Sequence, residues 1–152
     1  MRSDHISQHH PMKKSYHELI EIPSFHDRYL YLKLNGQVGY ATFGSRRSLN
    51  QMLYKFPEWR RVRNLVIERD KARDLAHEDF EISNQPAYIH HINPITIDDI
   101  LDRNPKIFDL DNLITTTFDT HQAIHYGSEA MLPKLPIERT PYDTCPWKGG
   151  IL

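Results

Sequence analysis

The sequence predicts an α+β fold in which two short strands and a helix gather histidines around one point. Three observations carry that prediction. A β-like run, Ala87-Tyr88-Ile89, ends in the adjacent pair His90-His91. A second run of strand formers, Asp109 to Thr115, follows a 16-residue loop from Asn93 to Phe108. His121 and His125 then stand four apart in a segment that reads as helix and stops at Gly127.

Met1 to Tyr16 has no apolar period and reads as a mobile tail, its His9-His10 pair lacking neighbours that complete a site. Ser24-Phe25-His26-Asp27 is a capping box that opens a helix through about Leu34, stopped by Asn35-Gly36. A hairpin competes there, because Tyr29 to Leu34 alternates and Asn-Gly favours a tight turn. Gly39 to Gly44 reads as a short extended piece. Leu49, Met52, Leu53 and Phe56 share a helical phase over Ser48 to Lys55. Pro57 ends that helix and starts the next, Glu58 to Arg69, which turns Trp59, Val62, Val66 and Ile67 to one side. Ser83 to Pro86 reads as a turn, Ala87 to Ile92 as the first strand, and Ile97 to Leu101 as a helical turn in the inter-strand loop. Thr120 reads as the cap of the last helix, His121 to about Tyr126. Four prolines after Ser128 (Pro133, Pro136, Pro141 and Pro146) indicate an extended strap anchored by Trp147. The expected division is a flexible tail over 1–20, a helical region over 21–74, a strand–strand–helix module over 75–127 and a strap over 128–152.

Two histidines at i and i+4 lie on one helical face, close enough to grip one ion. Neighbouring strand residues point to opposite faces, so His90 and His91 share a site only where the strand ends and bends. Asn93-Pro94 supplies that end. Such a set suits phosphodiester chemistry: imidazoles hold a divalent ion, and a separate imidazole activates water. Asp98, Asp99, Asp109 and Asp111 invite a second reading, a two-metal carboxylate site. A solvated loop is the plainer account of them.

Hydrophobic residues make up 39% and charged residues 26% of the chain, an ordinary balance for a globular protein. No run approaches the ~20 apolar residues of a membrane helix. The N-terminus has no apolar signal core. The single cysteine, Cys145, excludes an internal disulfide and fits a cytoplasmic setting. The net charge of −1 argues against a polyanionic partner, but the distribution argues for one. Gly44 to Arg73 holds nine basic residues against three acids, while Asp74 to Asp119 holds ten acids against Arg103 and Lys106. A basic face beside an acidic module can steer a polyanion, and a mixed solvated helix is the plainer alternative.

His90-His91, Asp111-Asn112-Leu113 and His121-x3-His125, in that order within 36 residues, resemble the HNH nucleases, also called ββα-metal or His-Me finger nucleases. The His-x3-His ending is similar to that of the colicin DNases. The resemblance implies a ββα-metal finger with a helical N-terminal extension and an extended C-terminal tail. It also implies His91 as general base, His90, His121 and His125 as ligands of one divalent ion, and Asn112 as the brace that holds the base. The lead-in Trp59, Arg63, Ile67, Arg69 and Asp70 resembles the helix before many such fingers. The chain departs from members with two Cys-x-x-Cys pairs, since Asp74-Leu75-Ala76-His77 stands where a pair would. From about residue 25 to 147 the layout is similar to small HNH endonucleases of tailed bacteriophages. That likeness implies a phage-encoded enzyme in the host cytoplasm, a DNA substrate and phage packaging proteins as possible partners.

The leading expectation is therefore a metal-dependent DNA endonuclease, with Arg60, Arg61, Arg63 and Arg69 as candidate DNA contacts. Activity should fall below about pH 6 as His91 and the ligands protonate. Zn, Ni or Co suits three imidazoles, and Mg or Mn serves when a phosphate completes the shell. The alternative is a non-catalytic, zinc-stabilised module that binds DNA or a phage protein, its site closed by His77 or Cys145.

Overall fold

The computed structural model describes residues 14–34, 46–78 and 81–134. Over these residues it mixes helices with one two-stranded antiparallel sheet, an α+β arrangement. In chain order come α1 (Tyr16–Ile20), α2 (Phe25–Leu32), α3 (Arg46–Leu53), α4 (Pro57–Arg69), β1 (Tyr88–His91), α5 (Ile97–Leu101), β2 (Leu113–Thr116) and α6 (Phe118–Tyr126). Short 3-10 turns sit at Pro105–Ile107, Leu110–Asn112 and Glu129–Met131.

Side-chain caps explain most of the helix starts. Ser24 Oγ accepts the Asp27 amide at 3.3 Å, and the segment is helix, not hairpin. Pro57 occupies the first turn of α4, where its missing N–H costs nothing. Thr96 and Asp99 close a capping box on α5. α6 begins earlier than the sequence suggests. Thr117, not Thr120, caps it, taking the Thr120 amide at 3.1 Å. Thr120 is instead buried inside the first turn. Gly127 ends α6 at φ 66°, and a Cβ there would stand 2.7 Å from Leu34 O. Glycine answers both demands.

The N-terminal expectation needs correction within its described part. Residues 14–20 are not a free tail: Ser15 caps α1 at 3.1 Å and Leu19 is fully buried. Burying one leucine stabilises by about 1.5–3 kcal/mol, enough to dock a five-residue helix that would not persist alone. Residues 1–13, with His9-His10, lie outside the described residues. So do Asn35-Gly36, Gly39 to Gly44, and the strap from residue 135 onward with Cys145 and Trp147.

β1 pairs with β2 in the register Tyr88–Thr116, Ile89–Thr115, His90–Ile114 and His91–Leu113. The second strand starts at Leu113 rather than Asp109, because Asp109 accepts the Asp111 amide at 2.9 Å and winds Leu110–Asn112 into a 3-10 turn. Alternation along β2 divides the interior into two cores. Ile114 joins Leu19, Tyr29, Leu32, Ile92 and Ile124 in one. Leu113 joins Trp59, Val62, Val66, Ile95 and Ile107 in the other. The sheet is thus a partition, with α6 on one side and α4 on the other.

Two buried aspartates cover the other edge of β2. Asp70 Oδ2 accepts the Thr115 amide at 2.8 Å, and Leu75 donates its amide to Thr115 O at 3.1 Å. Asp74 Oδ2 accepts the Thr117 amide at 3.1 Å. The segment after α4 therefore satisfies backbone donors that a third strand would otherwise take.

Candidate metal centre

His90 reaches the site from β1, on the face it shares with Ile114. His121 and His125 reach it from successive turns of α6. His90 and His121 are 1% and 8% exposed, and His125 is half-buried. One ring nitrogen from each lies within 4.8 Å of the others. His121 Nε2 and His125 Nε2 are 3.3 Å apart, the separation of two tetrahedral ligands on an ion with bonds of about 2.0–2.1 Å. Three neutral imidazoles suit a borderline divalent ion, so the donor set fits the metal that the resemblance implies. Among the described residues no fourth histidine, cysteine or carboxylate joins this group.

α6 is held where those ligands need it. Thr120 Oγ1 donates to Asp74 Oδ2 at 2.6 Å and Thr117 Oγ1 donates to the same oxygen at 3.0 Å. Asp74 Oδ1 takes the Ala76 amide at 3.1 Å. Burial pushes the Asp74 carboxyl up, and these donors offset only part of that rise. A carboxylate aimed at a helix start also meets the positive end of its dipole.

His91 closes β1 and faces the α4 side, its ring stacked on Trp59 at 5.4 Å between centroids and 11° between planes. Its Nε2 lies 3.1 Å from Ile107 O. A carbonyl only accepts, so Nε2 carries the proton and Nδ1 keeps the lone pair. Burial lowers the imidazole pKa to about 4, reinforced by Lys106 and opposed by the Ile107 bond and Asp99. His91 is therefore neutral at pH 7, and its own protonation belongs near pH 4, below the pH 6 expected from the sequence. A cavity of about 90 Å³ touches His91, His121, His125, Ile89, Pro94 and Ile95. From β1 the cavity takes only Ile89 and His91, which share one face of the strand, and His90 is not among its lining residues.

Asn112 is 4% exposed and ties the two ends of the loop together. Its Oδ1 accepts from the Asn93 amide at 2.8 Å and from Asn93 Nδ2 at 2.7 Å, while its Nδ2 donates to Lys106 O at 3.0 Å. Lys106 precedes Ile107, the residue that fixes the His91 proton, so the bracing role has a physical path. Asn93 Nδ2 also donates to Lys14 O at 2.7 Å, and His17 pairs with Asp111, so the N-terminal segment buttresses the same corner.

The candidate DNA contacts divide. Arg60 and Arg61 are exposed on α4, and Arg63 lines a second cavity against His121. Arg69 is elsewhere: it donates to both Asp70 oxygens, to Leu110 O at 2.7 Å and to Leu113 O at 2.6 Å, with Tyr16 over its guanidinium. Those bonds make it a structural staple rather than a phosphate contact. None of the loop carboxylates joins the His90, His121 and His125 group. Asp99 serves the α5 cap and pairs with Lys106 at 3.3 Å, and Asp109 caps the next turn.

Sequence reasoning names Asp70, Asp74 and Asn93 but gives none of their side chains the role it has here. A signal existed for the aspartates: two acids four apart, after a long helix and ahead of a threonine-rich strand whose edge amides need acceptors. Among the described residues no helix is long and apolar enough to cross a membrane. No protein-family model, no curated protein and no solved structure matches the chain.

Proposed function

We propose that the chain is a metal-dependent DNA endonuclease of the HNH type, built on a ββα-metal finger formed by β1, β2 and α6. The observation that supports it most is the cluster of His90, His121 and His125, two of which, His121 and His125, line the same cavity as the imidazole of His91. His90, His121 and His125 would hold one divalent ion. When bound, that ion supplies Lewis-acid stabilisation of the phosphate and leaving oxygen.

The protein's own groups do the rest. His91 lines the cavity, and with its Nε2–H on Ile107 O it is Nδ1 that would accept a proton from water there. Trp59 beneath the ring fixes its plane. Asn112 holds the loop that carries the Ile107 carbonyl, so it is a positioning residue. Arg63, which lines the neighbouring cavity, and the exposed Arg60 and Arg61 would supply the contacts to a phosphate backbone.

The test is nicking of supercoiled plasmid by metal-stripped protein given Mg, Mn, Ni or Zn separately. Metal-dependent nicking that is lost in His91→Ala is the expected result. No cutting with any ion, together with one tightly held zinc, would sink the proposal in favour of a non-catalytic zinc-stabilised module.

A further inference from the structure

A cavity of about 240 Å³ adjoins the imidazole cluster, and His121 forms part of its wall. The same wall holds three aromatic rings, Tyr54, Trp59 and Tyr88, with the amide of Asn50 and the guanidinium of Arg63. Among the described residues no carboxylate lines it. Tyr54 is 57% exposed and belongs to neither core. Arg63 donates one bond, from Nη2 to Ala87 O at 3.0 Å, which orients its fork along the start of β1. This space is distinct from the smaller one that His91 lines, but the two share Asn50, Trp59, Ile89 and His121 as a common wall.

Aromatic faces, an amide and a forked cation without carboxylates are the chemistry that receives a nucleobase. Tyr54 offers the open ring face for stacking, since Trp59 is stacked on His91 and Tyr88 on His121, and the amide and guanidinium bond the base's edge. A base paired within a duplex cannot enter such a space without leaving the stack. We propose that this cavity takes an unpaired nucleobase next to the phosphate that is cut, so the preferred substrate is single-stranded DNA or a duplex carrying an unpaired base. The inference rests on the nuclease reading for its role, but not for its test.

Binding is measured on the full chain without metal, by fluorescence anisotropy of labelled strands. The probes are oligothymidylate, an abasic strand of equal length and a duplex of equal length. Oligothymidylate should bind about tenfold or more tighter than the abasic strand, the scale of one lost base–aromatic stack. Tyr54→Ala should remove most of that margin and Tyr54→Phe should keep it; the exposure of Tyr54 lets both variants fold. Equal binding of oligothymidylate and the abasic strand, or a margin unchanged in Tyr54→Ala, would overturn the proposal. A margin present in a protein that cuts nothing would uphold the base cavity while the nuclease reading failed. Cutting without a margin would do the reverse.

Discussion

His91 and Asn112 show how little of a residue's task lies in its own identity. Burial leaves His91 neutral, with a pKa near 4 in the folded chain against an ordinary 6.5, and the bond to the Ile107 carbonyl opposes that shift without cancelling it. Between those values the unfolded chain binds a proton that the native protein excludes, so stability rises with pH across that window. Urea unfolding between pH 4 and 6.5 should show a slope of up to about 1.4 kcal/mol per pH unit from this one group. His91→Asn should flatten the slope, and an unchanged slope would place its origin elsewhere. Asn112→Ala removes a buried amide that joins Asn93 to Lys106 and should cost about 1–3 kcal/mol. The pKa of His91, followed by NMR, should rise toward 6.5 in that variant as the loop loosens and water enters.

At the scale of elements, the sequence showed strand, loop turn and helix because each rests on local chemistry. Ser24 and Pro57 are visible starts, and Gly127 is a visible stop. α1 was illegible because five residues carry no period, and what holds them is Leu19 in a core assembled from distant segments. The start of β2 was misplaced because the Asp109 side chain competes with strand pairing. The His90, His121 and His125 set was legible through order and spacing. The clamp behind it was not, since Asp74 meets Thr117 and Thr120 only across more than 40 residues of chain. Asp74→Asn should destabilise by about 2–3 kcal/mol, because an amide nitrogen then faces donors that need an acceptor. Metal affinity should fall with it, more than in Leu19→Ala, which costs about 2–5 kcal/mol in the core without touching the start of α6. Chemical denaturation beside metal titration separates the two, and equal loss of affinity would show that Asp74 acts only through global stability.

For the whole molecule, a sheet of two strands is too small to stand alone and is stabilised as the wall between two cores. Arg63 bonds Ala87 O at the start of β1, and Arg60 and Arg61 are exposed on the same helix. A surface of this kind attracts a polyanion by charge, so DNA binding should weaken steeply with salt, with a log–log slope reduced by about one in Arg61→Gln. An affinity indifferent to salt would count against the basic face. Everything functional rests on one claim, that His90, His121 and His125 hold a single divalent ion. A cobalt or nickel titration of the metal-stripped chain, followed by absorbance and calorimetry, tests it most directly. The account predicts one ion per chain, bound through imidazole nitrogen, and lost in His121→Ala and His125→Ala while His91→Ala retains it. No saturable binding, or binding indifferent to His121 and His125, would contradict the account at its base.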